Sequence, residues 1–288
     1  MVPQRQPVPP APPFLGLVGH PLRWRLLAEL ARSDRRVAEL VRLTGQPQNL
    51  VSYHLGRLRA GRLVTARRSS LDGRDSYYHL DLAHYAEELA ATGTALHPAL
   101  HPALHPALWP RPGQHATPST GALLPAGPPP PPAQTATPTA GPRRPRRAVL
   151  FLCTGNSSRS PMAEALLRHR AGDRVEVTSA GTHPKPLHPH TLRVMRDYGI
   201  DLTGRGPRHL DTLADRRFDQ VISLCDKVRE ACPPFPGDPV LTHWSLPDPA
   251  AAAEDEAAGH PAFQRTAAEL DARIRFLLPT LTLEGEAR

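Results

Sequence analysis

Cys153-Thr154-Gly155-Asn156-Ser157-Ser158-Arg159-Ser160 is the run of residues best placed to do chemistry. It begins where an apolar segment, Ala148 to Leu152, ends, and it leads into a helical pattern with Met162, Ala163, Leu166 and Leu167 apolar. Ligands of layered α/β sheets bind at such places, beyond the carboxyl ends of the strands. Small residues entering a helix let several backbone N–H groups point at one anion, and the helix dipole assists. The same nest stabilises a thiolate, which makes Cys153 a nucleophile at neutral pH. Arg159 follows six residues later. Its planar fork can hold two oxygens of a tetrahedral oxyanion and follow the charge into the transition state. The bland alternative is a buried cysteine at a strand end with Arg159 on a solvated helix start, and the ordered run argues against it.

These residues need a scaffold, and the pattern from residue 148 onward supplies one. Val175-Glu176-Val177 and Gln220-Val221-Ile222-Ser223-Leu224 read as further strands. Thr191 to Tyr198 and Pro261 to Leu278 read as helices, the latter with an apolar stripe of Phe263, Ala267, Leu270, Ile274 and Leu277. Alternation of this kind predicts an α/β fold with a parallel sheet. The chain's three cysteines, Cys153, Cys225 and Cys232, all lie in this half, and an odd number favours chemistry over a disulfide framework.

Residues 14–92 read as a separate helical module with a hairpin. Leu22, Leu26, Leu27 and Leu30 share one helical face, Val37, Leu40 and Val41 open a second helix, and Gly45-Gln46-Pro47 is turn chemistry. Val51, Leu55 and Leu58 recur at helical spacing before Gly61. Val64, Tyr77 and Leu80 flank Leu71-Asp72-Gly73-Arg74, whose Asp-Gly predicts a hairpin, and a helix from about Leu82 to Ala91 closes the module. Between the modules, residues 93–146 carry three Ala-Leu-His-Pro repeats, and there are 15 prolines from Pro98 to Arg147. Proline at that density excludes a helix and predicts a disordered, semi-rigid linker. It also denies His97, His101 and His105 the helix that would align them on a metal, so no metal site is expected. Nothing in the sequence couples the two modules.

Charge is unevenly placed. Residues 1–90 hold 13 arginines against 8 acids, residues 91–147 hold 5 arginines and no acid, and residues 148–288 are slightly acidic. The excess fits a polyanion partner for the first half. Residues 1–13 are polar and Pro-rich with no apolar signal core, and no apolar run is long enough for a membrane span, so the chain reads as cytoplasmic.

On the loop Cys153 to Ser160, residues 147–282 resemble the low-molecular-weight phosphatase superfamily, whose signature is Cys, five residues, Arg and Ser. Trp244-Ser245-Leu246-Pro247-Asp248-Pro249 supplies the family's late Asp-Pro, and the resemblance implies that Asp248 is the general acid. The polar loop residues Thr154, Ser157 and Ser158, and Ala250 to Ala253 after Pro249, leave a phosphotyrosine ring little to stack on. Leu224-Cys225-Asp226-Lys227-Val228-Arg229-Glu230-Ala231-Cys232-Pro233 is similar to the cysteine pair of thioredoxin-coupled arsenate reductases. That resemblance implies a relay from Cys153 through Cys225 to a Cys225–Cys232 disulfide, reset by thioredoxin or a small thiol. It implies no tightly bound cofactor, loop-shaping roles for Asn156 and Ser160, and in some members a potassium ion on positions matching Asn156, Glu164 and Ser179. A helix over 225–232 would hold the two Cα atoms about 10.5 Å apart, at ~1.5 Å per residue, whereas a disulfide needs less than about 7 Å. The segment must therefore unwind on oxidation, or already be a loop when reduced.

Residues 14–92 resemble the ArsR group of winged helix-turn-helix repressors, on Gly19-His20-Pro21-Leu22-Arg23-Trp24-Arg25-Leu26-Leu27, on Ser52 to Val64, and on the wing Asp72 to Tyr78. With Val51, Leu55 and Leu58 inward, Gln48, Asn49, Ser52, Tyr53 and Arg57 face outward, as types that read a major groove. Arg67, Arg68 and Arg74 are expected on the DNA backbone. The resemblance implies a homodimer on a palindromic site. The module has no cysteine, which departs from arsenite-sensing members. The expected whole is a transcriptional regulator fused to an arsenate reductase. A sensor without turnover, or a tyrosine phosphatase with a DNA-binding domain, is the alternative.

Overall fold

The computed structural model describes residues 10–96, 146–252 and 256–283. The His-Pro repeats and most of the Pro-rich linker lie outside the described residues.

The N-terminal domain is built from five helices and a small sheet. Pro13–Val18 (α1) leads into Pro21–Arg32 (α2), where the His20 ring nitrogen accepts the Leu22 N–H and Pro21 fills the first helical position. Arg35–Arg36 forms a short strand (β1). Val37–Thr44 (α3) follows, with Glu39 accepting the Arg36 N–H, and ends at Gly45, whose φ of 65° suits a left-handed C-cap. Gln48–Ala60 (α4) is the second helix of the helix-turn-helix. Val64–Arg68 (β2) and Ser76–Leu80 (β3) make the wing, in an antiparallel sheet of order β1-β3-β2. Asp72-Gly73 does not make a tight hairpin. Arg68 pairs with Ser76, so Asp72 and Gly73 sit within a longer tip closed by the Ser69 N–H on the Asp75 carbonyl. Leu82–Leu96 (α5) runs past the expected end, to the last described residue of this domain. Leu26, Leu40, Leu55, Leu58 and Leu63 are fully buried in this domain's core, each worth about 1.5–3 kcal/mol.

The C-terminal domain is a parallel four-stranded sheet with helices, as expected. Its elements are Arg147–Cys153 (β4), Arg159–Ala171 (α6), Val175–Gly181 (β5), Pro189–Asp197 (α7), Gln220–Ser223 (β6), Asp226–Ala231 (α8), Val240–His243 (β7) and Glu256–Leu283 (α9). The strand order is β5-β4-β6-β7. The central β4 carries Val149, Leu150, Phe151 and Leu152 fully buried, as a strand covered on both faces must. The edge strand β7 escapes sequence reading because it is four residues long and its Val240 and Leu241 are 63% and 65% exposed.

The two domains meet directly, which the sequence did not foreshadow. The Asp34 carboxylate, 2% exposed, accepts from Arg273 Nη1 at 3.1 and 3.2 Å and from the Ser245 N–H at 2.7 Å. The Asp34 N–H donates to the His243 carbonyl at 2.8 Å, and the His243 N–H to Ser33 Oγ at 2.9 Å. Arg67 donates to the Ser245 carbonyl and pairs with Glu269 at 3.2 Å. On the wing, the Ser70 N–H and hydroxyl both donate to Asp226 at 2.6 and 3.0 Å. Tyr77 is 1% exposed, edge-on to His243 at 4.7 Å, and burial pushes its hydroxyl up to about 12.

Two outcomes follow from these buried charges. Asp34→Ala takes the buried carboxylate from Arg273 and leaves it only the more exposed Glu269 at 2.8 Å, and should cost about 3 kcal/mol of stability. Asp34→Ala combined with Arg273→Met should regain much of that loss in denaturant titrations. Burial pushes the Asp226 carboxyl up, but hydrogen bonds from His243, Ser70 and Ser245 outweigh it and hold it far below the usual carboxylate range. A depressed folded value means the contribution is complete above the unfolded value, about pH 4, and fades as pH falls toward the folded one. Only Ser70 among these donors belongs to the other domain, so the expected outcome in denaturant titrations of the full chain is a loss of folding stability that sets in below about pH 4.

Candidate active site

The loop Cys153 to Ser158 is held from behind. The carbonyls of Thr154, Gly155 and Ser157 accept the N–H groups of His183, Lys185 and His188 at 2.8, 2.8 and 3.0 Å. In a trans peptide the next N–H points the opposite way. The amides of Gly155, Asn156 and Ser158 are thus turned to the loop centre, the arrangement of an anion nest at the start of α6. Asn156 adopts a left-handed φ of 44°, which asparagine tolerates. Its Nδ2 donates to Ser160 Oγ and to Ser179 Oγ, both at 2.9 Å, and its Oδ1 accepts the Arg208 N–H at 2.8 Å. Ser160 Oγ accepts from Asn156 and lies 3.0 Å from Cys153 Sγ and 3.5 Å from the Ala180 carbonyl, so its one proton is shared between those two acceptors.

Arg159 is buried and ties the loop to the late Asp-Pro segment. Its Nη1 donates to the Leu246 carbonyl at 3.0 Å and its Nη2 pairs with Asp248 Oδ2 at 3.2 Å. Its Nε is buried with no partner among the described residues, a donor left for an anion. The Asp248 side chain is about half exposed and precedes a short turn at Pro249. Cys153, Arg159 and Asp248, distant in sequence, therefore share one mouth.

The second and third cysteines flank α8. Cys225 is its N-cap and is buried; Thr154 Oγ1, on the residue after Cys153, lies 3.3 Å from Cys225 Sγ. Cys232 is the C-cap, half-buried, and burial pushes its thiol up. All three thiols are free. The segment between the pair is helical, so of the two possibilities for 225–232 it is unwinding that a disulfide would need.

A potassium ion does not fit the residues as they stand. Glu164 is engaged by Ser179 Oγ at 2.7 Å and by Arg168 and Arg205 at 2.6 and 3.1 Å, so two guanidinium charges already occupy the carboxylate. Among the described residues no group of three or more His, Cys, Asp or Glu is placed to hold a metal ion.

Two positioning residues escaped sequence reading. Gly181 ends β5 against the loop: a Cβ there would lie 2.6 Å from the Thr154 carbonyl and 2.8 Å from the Asn156 nitrogen. A glycine at the end of a strand next to the loop strand was the available signal. Arg208, which holds Asn156, had none.

On the N-terminal domain, Gln48, Asn49, Ser52, Tyr53 and Arg57 are all exposed along α4, as are Arg68 and Arg74 on the wing. Arg67 departs from the expectation. Neighbours on a strand point to opposite faces, so while Arg68 faces outward, Arg67 faces the C-terminal domain and is spent on Glu269 and Ser245.

The family model described as low molecular weight phosphotyrosine protein phosphatase matches residues 148–287. An arsenate reductase of Shouchella clausii is 36% identical over 132 residues, 45% of this chain and 94% of that one. Through its C-terminal half the chain belongs to this phosphatase and arsenate reductase family. An arsenate reductase of Bacillus subtilis is 34% identical over 129 residues, 45% of this chain and 93% of its own length. Among solved structures, a thioredoxin-dependent arsenate reductase of Corynebacterium glutamicum is 34% identical with a TM-score of 0.38; the match covers 49% of this chain and 63% of that one. As a member of the family, the domain is an enzyme, an arsenate reductase or a low-molecular-weight phosphatase. Residues 20–75 match the MarR family, which makes the N-terminal domain a winged helix-turn-helix.

Gly181→Ala should force the loop back by a fraction of an ångström. Misplacement approaching about 1 Å costs about 100-fold in turnover, so activity on any oxyanion substrate should fall by up to that order, and because the clash is with backbone the thermal midpoint should fall as well.

Proposed function

We propose that this chain is a transcriptional regulator fused to an arsenate reductase. The observation that carries the reading is the contact of Cys225 Sγ with Thr154 Oγ1 at 3.3 Å, which sets a second thiol beside the nucleophile's loop. A simple phosphatase has no use for that thiol.

The reaction runs on the chain's own groups. The Cys153 thiolate attacks arsenic; an arsenic–oxygen bond breaks and the oxygen leaves as water, protonated by Asp248. The loop amides and Arg159 Nε hold the remaining oxygens as charge builds on them. The Cys225 thiolate then attacks Cys153 Sγ. The sulfur–arsenic bond breaks, its electron pair stays on arsenic, and As(V) departs as arsenite. Cys232 attacks Cys225 Sγ, returning Cys153 as thiolate and leaving the Cys225–Cys232 disulfide. An external dithiol, thioredoxin or a small thiol, takes up that disulfide by exchange.

The N-terminal domain is assigned to DNA, as an ArsR-type repressor of arsenic-resistance genes acting as a homodimer in the cytoplasm. Exposed Gln48, Asn49, Ser52, Tyr53 and Arg57 on α4, with Arg68 and Arg74 on the wing, support it. Its metalloid input comes from the fused enzyme, because the domain has no thiol of its own.

Intact mass with disulfide mapping of reduced protein, before and after one equivalent of arsenate, tests the enzyme reading. A Cys225–Cys232 bond formed only with arsenate is expected, and Cys225→Ser should release no arsenite. Three free thiols after arsenate, or aryl phosphate hydrolysis far above arsenate consumption, would overturn the relay.

A further inference from the structure

Every residue of α8 lies between the relay cysteines, and three of its side chains hold the winged helix. Asp226 Oδ2 accepts the N–H and hydroxyl of Ser70 at 2.6 and 3.0 Å. Arg229 pairs with Glu39, donates to the Asp34 carbonyl at 3.3 Å and lies over the Tyr77 ring at 5.1 Å. Glu230 pairs with Arg36 at 3.3 Å. Asp226 is also the hub of the neighbouring contacts. Its other oxygen accepts from His243 Nε2 at 3.0 Å and Ser245 Oγ at 2.8 Å. His243 and Ser245 in turn donate their backbone N–H groups to Ser33 Oγ and to Asp34.

We infer that α8 is a redox-operated latch: closing the Cys225–Cys232 disulfide releases the winged-helix domain from the catalytic domain. The geometry is exclusive. The helix runs from Asp226 to Ala231 with the two cysteines as its caps, and seven steps at ~1.5 Å of helical rise put their Cα atoms about 10.5 Å apart. The bond requires less than about 7 Å. Residues 226–231 must therefore leave the helix when the bond forms. Asp226 follows Cys225 directly and moves first, taking the Ser70 contact and the ordering of His243 and Ser245 with it. Arg229 and Glu230 lose the helical spacing that aims them at Glu39 and Arg36. The converse holds by linkage: whatever binds the undocked winged helix favours the oxidised form, and docking favours the reduced one.

Where arsenate is the oxidant the latch rests on the reductase reading, but its mechanics need only the disulfide. One two-electron step converts the two thiols to the disulfide, with arsenate reduced to arsenite and water leaving, or diamide reduced to its hydrazine.

Two amides report docking directly, because the Asp34 and Ser70 N–H groups donate across the interface. Hydrogen exchange of the full chain is measured reduced, after arsenate and after diamide, with disulfide mapping of each sample. On formation of the Cys225–Cys232 bond, exchange at Asp34 and Ser70 should rise at least about tenfold, while amides inside α2 hold their rates. The Cys225→Ser, Cys232→Ser double variant should stay protected under both oxidants. A mapped Cys225–Cys232 bond with unchanged exchange at both amides overturns the latch, whichever oxidant made it. Release by diamide but not by arsenate upholds the latch and refutes the reductase reading instead.

Discussion

A carboxylate taken out of water must find donors, and this chain buries two at one seam. Asp34 and Asp226 are each 2% exposed. An uncompensated charge in such a place costs several kcal/mol, so the groups that meet it are constrained in position as well as in kind. Asp34 draws Arg273 from α9 and the Ser245 amide from the segment after β7. Asp226 draws Ser70 from the wing and His243 from the end of β7. The two carboxylates come from different domains; Asp34 takes these donors from the opposite one, and Asp226 takes Ser70 from across the seam and His243 from its own side. The seam is therefore fixed in register, and the start of the redox helix, the end of the sheet and the wing are parts of a single network.

The catalytic mouth obeys a similar rule with the sign reversed. There the chain gathers donors and leaves them unmet. Loop carbonyls are satisfied from behind by residues 183–188, which turns the amides inward, and Arg159 spends two of its nitrogens on Leu246 and Asp248 while holding Nε back. A site built from unspent donors favours a small, highly charged oxyanion over a neutral ligand. In the reading proposed above, the Cys225 thiol at its rim lets the site supply electrons to its substrate, which a site that only hydrolyses does not do.

What could be read in the sequence was what depends on neighbours in sequence. The strand, loop and helix around Cys153 are contiguous, so residue types alone indicate the cradle. The amphipathic faces of α2 to α4 are set by spacing and were equally legible. Asp34, Asp226, Arg229 and Glu230 look like ordinary surface charges, because the partners that engage them belong to a domain far away in the chain. Gly181 and Arg208 belong to the loop only through packing across the sheet. The engagement of Arg67 with the other domain was not legible, because a run of two arginines says nothing of which one the strand turns toward its neighbour. The eight residues from Cys225 to Cys232 were informative for the opposite reason: helical rise and disulfide reach forbid a helix and a disulfide from coexisting there.

Strand β7 carries one more consequence. It is the last strand of its sheet, with Val240 and Leu241 bare, and the N-terminal domain reaches its far end through Ser33 and Asp34. An open parallel edge with apolar side chains is a template for pairing with another molecule. Among the described residues the winged helix engages this strand only at His243, so Val240 and Leu241 stay open to another molecule even while the two domains are docked.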